Sequence, residues 1–66
     1  MKKKEKLTPK QIKKIRVSVF VTQAKMAAGM DVTITSISNW EMGNLPPNDY
    51  NNLVLYELAE ENGVKL

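Results

Sequence analysis

The chain reads as an all-α domain of four to five short helices. Apolar residues recur at helical spacing, as with Ile12, Ile15 and Val19. A small polar capping residue stands where each helix would begin: Thr8, Thr22, Thr33, and Asn48 or Asp49. Gly43 with Pro46-Pro47 behind it, and Asn62-Gly63 later, mark helix ends.

Residues 1–7 are expected to form a flexible basic arm, and residues 8–66 the folded domain. Thr8-Pro9-Lys10-Gln11 is a strong helix start. Thr8 caps, Pro9 suits the first helical position, and Gln11 completes a capping box. The first helix should run to about Val19, with Lys10, Lys13, Lys14 and Arg16 mostly off its apolar stripe. Val17, Val19, Phe20 and Val21 are also compatible with a short strand. A helix end and linker is preferred, because it leaves Thr22 to cap a second helix. That helix covers about Gln23–Gly29, with Ala24, Met26 and Ala27 inward. Met30-Asp31-Val32 makes a turn, and Asp is among the few non-Gly residues that accept φ > 0. Thr33 caps a third helix over about Ile34–Met42, with Ile37 and Trp40 facing the core. The last helix starts near Asn48 or Asp49, carries Tyr50, Leu53, Val54, Tyr56, Leu58 and Ala59, and stops at Asn62-Gly63. Val64-Lys65-Leu66 remain as an extended tail.

Composition narrows the chemistry. Sixty-six residues make one domain near the lower size limit for independent folding, so a homodimer is a natural aid. The chain has no cysteine and no histidine. Disulfides, thiolate chemistry, zinc clusters and Ser-His or Cys-His nucleophile pairs are thereby excluded. Glu57, Glu60 and Glu61 read as a solvated helix face rather than a catalytic carboxylate pair. The expectation is no enzyme, no cofactor, no metal and no small-molecule substrate. No apolar run approaches the roughly 20 residues of a membrane span, and the Lys-rich start lacks the apolar run of a signal peptide. A cytoplasmic protein without membrane contact is expected. Charge is unevenly placed: residues 1–30 hold nine of the ten Lys/Arg and one acid, whereas residues 31–66 hold one lysine and six acids. A basic front half suits a polyanion.

Several segments together resemble the Cro/C1-type (XRE) helix-turn-helix family. They are Thr22-Gln23-Ala24, Met30-Asp31-Val32-Thr33, Ser36-Ile37-Ser38-Asn39-Trp40-Glu41 followed by Gly43, and Pro46-Pro47. With flanking helices the likeness covers about Lys10 to Leu58. Each element alone is weak, but Gln23, Ile37, Trp40, Glu41 and Gly43 at this spacing make a fairly specific set. The resemblance implies a lambda-repressor-like DNA-binding domain of four to five helices, with its helix-turn-helix at about residues 22–43. It implies base contacts from Ile34, Thr35 and Asn39, which match positions that point into the major groove. Asn39 would pair with adenine, and Ile34 and the Thr35 methyl would meet a thymine methyl. Phosphate contacts are implied for Gln23, Thr33, Lys25, Ser36, Ser38 and Asn44. The arm lysines Lys2, Lys3, Lys4 and Lys6 would add charge, or would simply be solvated. Arg16, Ile37, Trp40, Glu41 and Gly43 are expected to be structural, with Arg16 pairing to Glu41.

This chain departs from the family pattern at three places. The third helix has no Lys or Arg, Phe20 stands where a helix-ending Gly is usual, and Asp31 replaces the usual turn Gly. The function expected is sequence-specific binding of double-stranded DNA by a homodimeric transcriptional regulator, of small phage or plasmid repressor or autoregulator type. The alternative is a protein-interaction module that keeps the fold and binds nucleic acid only non-specifically through the Lys arm. Asn39→Ala separates the two, since only a base reader would lose sequence preference.

Overall fold

Each helix begins on the same device. The side chains of Thr8, Thr22, Thr33 and Asn48 accept hydrogen bonds from the backbone N–H of Gln11, Lys25, Ser36 and Asn51. Each such cap contributes about 1 kcal/mol. In the computed structural model, which describes residues 5–66, they start α1 (Pro9–Val19), α2 (Gln23–Met30), α3 (Ile34–Met42) and α4 (Asp49–Glu61). The Thr8–Gln11 capping box is complete. No strand forms among the described residues, and Phe20-Val21 is a corner. The tail after α4 adds no fifth helix.

Three helices end on a residue with positive φ: Asp31 (56°) after α2, Gly43 (78°) after α3 and Gly63 (67°) after α4. The following N–H then reaches back five residues: Val32 to the Ala27 carbonyl, Asn44 to Asn39, and Val64 to Ala59. Carbonyls orphaned at the helix end are satisfied this way. The end of α1 differs. Phe20 stays right-handed, its N–H and that of Val21 both bond the Arg16 carbonyl, and Val21 itself takes φ 72°. A β-branched residue there is strained by about 1–2 kcal/mol. The Phe20 ring lies over α2, so close to Gly29 that an added Cβ would sit 2.5 Å from its Cε1. The missing glycine of this corner is thus compensated by a glycine on the next helix.

The core comprises Leu7, Ile12, Ile15, Met26, Ala27, Ile37, Trp40, Leu55 and Ala59. Helix α3 packs on both α2 and α1, and α1 also packs on α4. Met26 and Ala27 face inward as expected. Ala24 does not; it is exposed, because two residues along a helix turn about 200° away from Met26.

Residues 5–7, just before the α1 cap, are docked. Leu7 is buried beside Ile12, the positions before the cap and four into the helix that form a hydrophobic staple. The buried amide of Asn52 accepts from the Leu7 N–H and donates to the Glu5 carbonyl, both at 3.0 Å, and the Tyr56 hydroxyl donates to the same carbonyl. Lys6 Nζ donates to the Pro47 carbonyl and pairs with Asp49 at 3.1 Å. Residues 5–7, expected to belong to a flexible arm, are therefore held against the fold. Lys6 is held by the fold rather than presented as an arm cation. Lys2, Lys3 and Lys4 lie outside the described residues.

Candidate functional site

Helix α3 has a clamped side and an open side. Ile37 and Trp40 are buried, and Glu41 follows them inward. Glu41 meets Arg16 in a two-pronged ion pair: Nε donates to Oε2 at 2.6 Å and Nη2 to Oε1 at 3.1 Å. Their side chains are only 12% and 7% exposed. Arg16 Nη1 also donates to the Val21 carbonyl at 2.9 Å. Gln23 Nε2 donates to Glu41 Oε1 at 3.4 Å. One carboxylate therefore ties α3 to α1 and to the first residue of α2. The planar guanidinium fork fixes direction as well as distance, so the axis of α3 is oriented by the pair.

The other side carries Thr35, Ser38, Asn39 and Met42, spaced so that they share one face of the helix. Ile34 flanks this stripe at its N-terminal end. Thr35 is exposed, and Ser38 and Asn39 are half-buried. Ile34 and Met42 are 52% and 63% exposed. The Asn39 backbone carbonyl accepts from the N–H groups of Asn44 and Leu45. Its side-chain oxygen faces the Asn44 amide at 3.5 Å, the edge of hydrogen-bond range, and its Nδ2 has no bond among the described residues.

The other residues implicated by the sequence separate into engaged and open ones. Thr33 Oγ1 is occupied at the helix start, accepting from Ser36 N–H and bonded to Ser36 Oγ at 3.0 Å. Gln23 is held on Glu41. Asn44 lies against Asn39. Lys25 is exposed on α2. Lys10, Lys13 and Lys14 are exposed on the side of α1 opposite its buried Ile12 and Ile15, hence away from α3. Gly43 supplies the positive φ that lets the chain leave α3.

Three features escaped the sequence reading. Asn52 was unmarked, although it interrupts the inward stripe it shares with Leu55 and Ala59; a polar residue at such a position is the available signal. Leu7 was assigned to the arm, although it directly precedes a cap. Met42 belongs to the open stripe, and the signal for it is its position three residues after Asn39. Among the larger apolar residues of α4 and the tail after it, Tyr50, Leu53 and Leu66 are exposed. Tyr56 holds Glu5, and Val64 packs on the core.

Among the described residues no helix is long and apolar enough to cross a membrane. Searches against family models, curated proteins and solved structures found nothing that matches this chain.

Proposed function

We propose that this chain binds double-stranded DNA in a sequence-specific manner as a small transcriptional regulator. In this reading α2, the Asp31 turn and α3 form the helix-turn-helix of a lambda-repressor-like domain. The carrying observation is the contrast across α3: one side is fixed by Arg16, Gln23 and the core, and the other presents an unclamped polar and apolar stripe. A rigidly held helix with an open stripe is what groove reading requires, because base contacts need fixed register. Thr35 and Asn39 would reach base edges, with Ile34 beside them. Lys25, on the helix packed against α3, would meet phosphate, and Thr33 and Gln23 would support the two helix starts. Two copies joined through surfaces that include Tyr50, Leu53 and Leu66 would place two α3 helices on half-sites about one turn apart. The protein would act in the cytoplasm, without enzymatic activity or a cofactor.

The test is enrichment of bound duplexes from a random pool at physiological salt. A palindromic consensus is expected, and recovery of no motif contradicts the proposal. A second reading, a protein-interaction module, draws on the exposed Ile34 and Met42 and on the absence of any cation from α3. It predicts no motif and salt-dependent, sequence-blind duplex binding.

A further inference from the structure

The open face of α3 has a chemistry of its own. Across its nine residues, Ile34–Met42, it carries no Lys or Arg. The commonest specific base contact, a cationic fork on guanine O6 and N7, has no donor here. The face offers three other things. Apolar groups stand near both ends, Ile34 flanking the face at its start and Met42 on it at the finish, each more than half exposed. The Thr35 hydroxyl and methyl stand between them, exposed. Asn39 lies in the middle, with its Nδ2 unbonded among the described residues and its Oδ1 only weakly engaged by Asn44.

The amide and the apolar groups each have a preferred complement in the major groove, whereas the Thr35 hydroxyl can donate or accept. An amide that donates and accepts side by side matches adenine N7 and N6. Exposed aliphatic groups match the thymine C5-methyl, the only apolar group on any base edge there. A cytosine edge would set its unmethylated C5 against Ile34 and Met42. A guanine edge presents only acceptors, O6 and N7, and would leave the Asn39 Oδ1 without a donor, whereas adenine satisfies both ends of the amide.

Resting on the DNA-binding reading above, we infer that this face selects A·T pairs, and that thymine methyl groups packed on Ile34 and Met42 supply the discrimination. Met42 is thereby a specificity-determining residue in addition to Ile34, Thr35 and Asn39. Selectivity comes from apolar contact and one amide rather than from charge, so it should persist at salt concentrations that weaken overall affinity.

The experiment uses the duplex enriched from the random pool, made once with thymidine and once with deoxyuridine. The second lacks only the C5-methyl groups, while its hydrogen-bonding edges are unchanged. Each buried methyl contributes about fourfold in affinity, so two contacts predict a drop of roughly tenfold or more with deoxyuridine. Ile34→Ala and Met42→Ala should each bind the thymidine duplex more weakly and reduce the thymidine-to-deoxyuridine ratio. A purely structural role for either residue would lower both affinities and leave the ratio intact. Both side chains are exposed, so thermal melting should be unchanged and the variants remain informative. A G·C-rich consensus, or equal binding of the two duplexes, overturns the inference while leaving sequence-specific binding in place. Recovery of no consensus overturns both.

Discussion

Ile37, Trp40 and Glu41 lie on one side of α3, and Thr35, Ser38, Asn39 and Met42 lie on the other. The first group is bound by geometry. Ile37 must fill space between α1 and α2, and Glu41 must meet a guanidinium whose every bond direction is fixed. In the second group Thr35 and Met42 are exposed and Ser38 and Asn39 half-buried, so packing constrains their residue types less. Ile34 and Met42, like Val17, Leu45 and Tyr50 elsewhere, leave apolar area in water that contributes nothing to folding and stays open to a partner. The difference teaches where to look for each property: stability on the inward side, recognition on the outward side.

Substitutions can break that division or sharpen it. The largest effect is expected from Ile37→Ala, which empties a fully buried site and should cost about 3–4 kcal/mol in denaturant unfolding. For a domain this small that is much of its total stability. A loss under 1 kcal/mol would mean the inward face is not what anchors α3. Arg16→Met should follow at about 3 kcal/mol, because it leaves Glu41 charged, largely buried and without its main partner. Arg16→Met combined with Glu41→Met should recover much of the loss. If the double variant is no more stable than Arg16→Met alone, the pair is not the source of the cost. Asn52→Ala, far from α3, should cost about 2 kcal/mol by stranding the Leu7 N–H and leaving the Glu5 carbonyl only its Tyr56 hydrogen bond. Hydrogen exchange at Leu7 should accelerate with it; unchanged protection would show that Asn52 does not hold that segment.

A smaller effect has the opposite sign. Val21→Gly relieves the left-handed strain at the α1–α2 corner and loses little packing, since Val21 is 63% exposed. Greater freedom of glycine in the unfolded chain offsets part of the gain, leaving roughly 0.5 kcal/mol of net stabilisation. A lower melting temperature would contradict the strain assignment.

Much of this architecture was legible from sequence because it rests on local rules. Caps at Thr8, Thr22, Thr33 and Asn48 and the positive φ at Asp31 and Gly43 are decided within a few residues, and the helix bounds follow. Only α2 differs, extending one residue beyond expectation to Met30. Contacts between distant segments were harder to read. Asn52 meets Leu7 across 45 positions, and Lys6 meets Pro47 across 41. Neither pairing leaves a spacing signature, so residues 5–7 looked like arm and Lys6 looked free. The corner at Phe20 and Val21 was misleading for a related reason. The room that Gly29 leaves for the Phe20 ring is visible only once both helices are in place.

The most direct test of the contrast across α3 is Asn39→Ala, read as the ratio of affinities for an enriched duplex and a scrambled one, alongside thermal melting. Asn39 is half-buried and makes only a weak side-chain contact, so stability should change by no more than about 0.5 kcal/mol. The affinity ratio should fall about tenfold or more, with scrambled-duplex binding unchanged. An unchanged ratio in a fully folded variant would contradict base reading by the outward face of α3.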